Sequence, residues 1–133
     1  MPSGTYSIQI LTGANLSASR NLIITDAGIV QAVANATDSI GALEANASTA
    51  LANEAVFVTF EGTATCVAGG AAVTPFALVM VDAANPGAVI DATAGNVAIG
   101  RYIPELIDGA LPPATVLGQE ITCYIFGSKA LTI

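Results

Sequence analysis

The chain contains no histidine and no tryptophan, and its only cationic side chains are Arg20, Arg101 and Lys129. Without histidine, the side chain that titrates nearest neutral pH and the commonest metal ligand are both missing. A Ser–His–Asp triad cannot be assembled, and Cys66 and Cys123 have no imidazole to activate them. These gaps point to a non-enzymatic protein. Ten acids against three cations give a net charge of −7. No basic face is available to grip a phosphate backbone, so nucleic acid is not an expected partner.

Other things are scarce too. Charged residues make up 10% of the chain, against roughly 25% in ordinary domains. Two distant cysteines do not have the spacing of a metal site or a redox motif. They are expected to be buried, reduced thiols, and a disulfide requires their strands to be neighbours. There is no calcium-loop pattern, and the Gly-rich residues 68–72 lack the lysine and helix of a phosphate site. A flexible hinge between repeats is the expectation for them. No cofactor and no metal are expected. Long apolar runs are missing as well. The longest, residues 67–81, is interrupted by Gly69, Gly70 and Pro75 and is too short to cross a bilayer. Met1-Pro2-Ser3-Gly4 has no basic region of a secretory signal. The expectation is a protein made in a cytoplasm, with no membrane contact.

What the chain has is apolar surface and a repeat. It is 53% hydrophobic with a mean hydropathy of +0.70. That is more than a 133-residue domain is expected to hide alone, so burial against another chain is anticipated. Residues 28–41, GIVQAVANATDSIG, align with residues 87–100, GAVIDATAGNVAIG. Upstream, residues 22–27 align with 78–83, which matches Asp26 to Asp82; downstream, residues 56–62 align with 121–127. Gly41 to Val56 is 15 residues and Gly100 to Ile121 is 21, so an insertion falls in a loop and leaves the strands in step.

Alternation places a half-buried strand at Tyr6–Leu11, within an N-terminal arm of residues 1–20. Further strands are predicted at residues 22–25, 29–33, 56–61, 63–67, 77–81, 88–90, 97–102 and 121–126, with turns at 26–28, 85–87 and 93–96. Residues 42–54 are Ala-rich and read either as a short helix or as an irregular connection. Residues 103–118 carry Pro104, Pro112 and Pro113 and read as a long connection. The fold class is all-β: a small β-barrel or β-sandwich built from two repeated units, about 22–62 and 78–127, with an extended N-terminal arm. Glu105 and Asp108 would share a face only if Pro104 opened a helical turn. Asp26 and Asp82 read as turn residues bonding their own downstream backbone. Neither pair reads as catalytic.

The run Asp26-Ala27-Gly28-Ile29-Val30, then Ile40-Gly41, then residues 56–62 (VFVTFEG) and 67–74 (VAGGAAVT) resembles the small capsid cement, or head decoration, proteins of tailed bacteriophages. Val81-Asp82, Gly87-Ala88-Val89 and Ile99-Gly100-Arg101 continue the likeness, which covers residues 20–126. The Pro-rich connection and the N-terminal arm depart from it. The resemblance implies a β-rich homo-oligomer, often a trimer with a dimer as the alternative, on the exterior of an icosahedral virion. It would bind the major capsid protein after synthesis in the host bacterial cytoplasm. Candidate oligomer or capsid contacts are Tyr6, Ile8 and Ile10 on the arm, and Leu111, Pro112, Pro113 and Val116 on the connection. Ordinary packing inside the chain is the competing reading for both sets. Deleting residues 1–12 is expected to weaken attachment while sparing the fold. The alternative function is a secreted or surface β module for adhesion or carbohydrate binding, which would need export and aromatic platforms; aromatics are 5% of this chain.

Overall fold

The structure, a computed structural model, describes residues 6–13, 16, 21–32, 39–44, 55–126 and 131–132. The alternative for residues 42–54 lies largely outside them, although Ala42 and Leu43 are in a strand. The strands are β1 (Tyr6–Leu11), β2 (Ile23–Thr25), β3 (Ser39–Leu43), β4 (Ala55–Val67), β5 (Leu78–Val81), β6 (Val89–Asp91), β7 (Val97–Ala98), β8 (Gly100–Tyr102), β9 (Glu120–Ile125) and β10 (Leu131–Thr132). There is no helix among the described residues. The main sheet is antiparallel and curls into a half-barrel, in the order β2-β3-β4-β9-β8-β5-β6, with β1 also on β4.

The repeat is visible in hydrogen-bond register. Ala42 faces Thr59 and Leu43 faces Val58, as Arg101 faces Tyr124 and Tyr102 faces Cys123. Those pairs obey the alignment of 41 with 100 and 56 with 121. Next to them the alignment slips by one. The Leu43 N–H donates to the Leu22 carbonyl, and the Tyr102 N–H donates to the Ala77 carbonyl, so Leu22 corresponds to Ala77 rather than Leu78. The repeat also reaches further than its sequence signal. Ile10 faces Val56 and Ile8 faces Val58; Cys66 faces Ile121 and Ala64 faces Cys123. Strand β1 is therefore the counterpart of the second half of β4. In each unit the last strand returns beside the first, β4 beside β1 and β9 beside the second half of β4, as in a Greek key. Strand β4 closes the first unit with its N-terminal half and opens the second with its C-terminal half.

That dual role explains why residues 55–67 form one strand rather than the two predicted. Tyr6 pairs with Glu61 while Ser7 pairs with Thr59, which leaves Phe60 as the extra residue of a bulge. A bulge flips the alternation downstream of it. Val56 and Val58 join a core with Leu16, Ile24 and Leu43. Past the bulge, Ala64 and Cys66 turn to the other core, with Ile23, Ala42, Val79, Tyr102, Ile121 and Cys123. Strand β2 and the end of β3 are thus buried on both faces, whereas Ser7, Gln9 and Leu11 of β1 and Phe57 of β4 face solvent.

Three local expectations are corrected. Residues 29–32 contribute only an isolated bridge, Val30 with Ile24; Val33 lies outside the described residues. Residues 97–102 are two strands parted at Ile99, because β7 pairs with β10 while β8 pairs with β5 and β9. Residues 69–70 are pinned rather than hinged: the Gly69 N–H donates to the Val89 carbonyl and the Gly70 N–H to the Asp82 carboxylate.

Candidate functional site

Residues 103–118 contain the insertion that distinguishes the second unit, and they hold most of the exposed bulky apolar side chains among the described residues. Leu106, Ile107, Leu111, Val116 and Leu117 are each more than half exposed. The segment is tightly built. The N–H groups of Ile107 and Ala110 donate to each other's carbonyls at 2.8 and 2.9 Å. Asp108 and Gly109 sit between them with φ of 51° and 79°. Two consecutive positive φ angles define a type I′ turn, for which Asp-Gly is a favoured pair. A second turn follows at residues 116–119, where Gly118 has φ 85°. The Gln119 N–H donates to the Val116 carbonyl, and the Gln119 side chain accepts from the Val116 N–H at 3.1 Å.

The lobe is also tied to the body. The Ile103 N–H donates to the Thr122 carbonyl and the Gly118 N–H to that of Ala68. Buried Thr115 accepts the Val73 N–H at 2.8 Å. Grooves of about 310 and 190 Å³ run along its base and share Tyr102 and Pro112; Pro75, Leu111 and Pro113 complete the larger one. A backbone held this way is ordered before it binds, which lowers the entropy cost of recognition.

The sequence candidates separate. Leu111, Pro113 and Val116 are exposed on the lobe and Pro112 is half-buried. Ile8 and Ile10 are half-buried and pack against the chain's own core. Their strand, expected on an arm, is paired with β4 along its whole length. Removing residues 1–12 would therefore strip a sheet strand, which corrects the expectation that this deletion spares the fold. The Tyr6 side chain lies outside the described residues. Sequence reasoning missed Leu106, Ile107 and Leu117. The Asp108-Gly109 pair between apolar residues was the signal that could have found the first two.

The acidic pairs hold no joint site. Glu105 and Asp108 are exposed, and no helical turn brings them to one face. Asp82 is buried and Asp26 exposed. Asp82 accepts the Gly70 N–H and the Asn85 side-chain amide, each at 2.9 Å, and the Ala84 N–H at 3.0 Å. The Gly70 bond, helped by the other two and opposed by burial, holds its carboxyl below the usual range. In the first unit the matching bond belongs to Thr25, whose hydroxyl accepts the Ala27 N–H. Thr25, not Asp26, thus takes the place of Asp82 at this turn, although Ala77 to Asp82 spans two residues more than Leu22 to Thr25.

Cys66 and Cys123 are free and fully buried on adjacent strands, two residues out of register. A hydrogen bond with Cys123, then burial, pushes the Cys66 thiol well up. A polar groove of about 330 Å³ is lined by Ser7, Asn21, Glu44, Thr59, Thr63 and Thr65, with no aromatic ring among its described lining. Among the described residues no three His, Cys, Asp or Glu side chains gather to hold a metal. Comparison with protein-family models, with curated proteins and with solved structures returns no match.

Proposed function

We propose that this chain is a non-enzymatic structural virion protein that binds the outer surface of a tailed-phage icosahedral capsid and stabilises contacts between major capsid subunits. The lobe carries this reading: Leu106, Ile107, Leu111, Val116 and Leu117 stand in solvent on two rigid turns. Covering the exposed half of such side chains contributes on the order of 1 kcal/mol each, before the cost of association. A protein that binds only the assembled shell stabilises it by mass action. A homotrimer, as the resemblance implies, multiplies this through effective concentration. The repeat-based sheet and the apolar, acidic composition support a passive binder. Adhesion or sugar binding is the weaker reading, because the polar groove offers hydroxyls and one carboxylate, Glu44, without a ring to stack on among its described lining.

The test is shell stability. Mature heads lacking this protein are heated with and without it, and the temperature of disruption is followed by light scattering. The account expects a rise with the parent chain and none with a Leu106→Ser/Ile107→Ser variant. An equal rise with both would move the contact off the lobe.

A further inference from the structure

The charges around the lobe specify the occupant. Residues 103–120 carry Glu105, Asp108 and Glu120 and no lysine or arginine. Glu105 and Asp108 are exposed and flank Leu106 and Ile107 directly. Glu120 accepts the Asn21 side-chain amide. The nearest cation along the chain, Arg101, donates to the Phe76 carbonyl. The lobe's apolar side chains are therefore bordered along the chain by acids alone, and Glu105 and Glu120 line the smaller groove with Ile107. Joining it to the lobe of a second copy would set like charges against each other on chains that are already −7.

We infer that the lobe docks into an apolar groove rimmed by lysine or arginine on a different protein, and is not a contact between copies of this chain. The inference rests on the reading of the lobe as a protein-docking surface and names its partner's chemistry. Apolar burial supplies the affinity, while the bordering acids speed encounter and reject acidic surfaces. Any homo-oligomer then forms through another face and leaves the lobe free.

The probes are two synthetic amphipathic helices with the same leucine face, one rimmed by lysine and the other by glutamate. Binding of the whole chain is followed by fluorescence anisotropy. At about 20 mM salt the lysine helix should bind at least tenfold tighter than the glutamate helix, and at about 0.5 M most of that gap should close. Leu106→Ser/Ile107→Ser keeps the net charge and should weaken the lysine helix about tenfold. Glu105→Gln/Asp108→Asn should weaken it severalfold at low salt, whereas Asp26→Asn, an exposed acid of the first unit, should not. Equal affinity for the two helices would overturn the inference, as would a lysine helix indifferent to the lobe variants. Self-association in sedimentation velocity that the Leu106/Ile107 variant abolishes would also overturn it, by making a second copy the occupant. So would lobe-dependent binding to phosphatidylcholine vesicles. If the helices behave as expected but phage shells take up none of the chain, the capsid reading falls and this inference stands.

Discussion

Gly41 and Gly100 are the most exacting test of the repeat, because each lies where a neighbouring backbone leaves no room for a side chain. A Cβ on Gly41 would sit 2.1 Å from the Thr59 carbonyl oxygen, and one on Gly100 would sit 2.4 Å from that of Tyr124. Thr59 and Tyr124 are themselves equivalent, each facing the residue after its glycine. The obstacle is backbone in both cases, so relief requires β3 to move off β4, or β8 off β9. Overpacking of this kind costs about 3 kcal/mol, which lowers Tm by ~10 °C in a chain this long. Gly41→Ala carries added strain from its φ of 154°, so it should be the worse of the two. Gly95→Ala is the control: it has φ 87° but nothing within 4 Å, so only conformational strain of about 1 kcal/mol is expected. Thermal unfolding followed by circular dichroism decides. Gly41→Ala and Gly100→Ala melting within a degree or two of the parent would refute both the close approaches and the equivalence built on them.

Further outcomes follow from other sites. Asp82→Ala removes an acceptor from Gly70, Ala84 and Asn85 and should cost about 2 kcal/mol at neutral pH. Because the folded-state pKa of Asp82 is lowered, its stabilisation is complete above the unfolded value near 3.9 and disappears as pH falls through the folded value. The Tm gap between parent and Asp82→Asn should therefore hold above about pH 5 and narrow below about pH 4. Both cysteines should resist a thiol reagent in the native state and react together on unfolding, since both are buried and the Cys66 thiolate is disfavoured; fast labelling of either in native buffer would contradict the packing. Removing residues 1–12 should lower Tm by more than ~10 °C or prevent folding, because β1 pairs along β4 and Ile8 and Ile10 pack on the core. An unchanged Tm would restore the free arm.

The all-β class and most strand positions were legible because their signals are local. Tyr6–Leu11 alternates, Gly28 and Gly87 punctuate hairpins, and the paired glycines 41 and 100 mark where strands come closest. What escaped was set by pairing over distance. The bulge at Phe60 has no composition of its own, so β4 read as two strands. The likeness of β1 to residues 62–67 lies in which strand each one faces, and the two share little sequence. Asp82 drew attention to Asp26 at the aligned position, but the bond is made one residue earlier by Thr25. On the lobe, the Pro-rich stretch advertised Leu111 and Val116; Leu106 and Ile107 were marked only by the Asp108-Gly109 pair beside them, and Leu117 stands out only once its turn is seen to hold it in solvent.

The central claim is that this chain attaches to a capsid through the lobe of residues 103–118. Its most direct test is co-sedimentation of the purified chain with mature shells that lack it, counting copies bound per major capsid subunit. The account predicts saturation at a fixed ratio for the parent, with binding lost in Leu106→Ser/Ile107→Ser at unchanged thermal stability. No uptake by intact shells, or saturation by the variant at the parent's ratio, would contradict it.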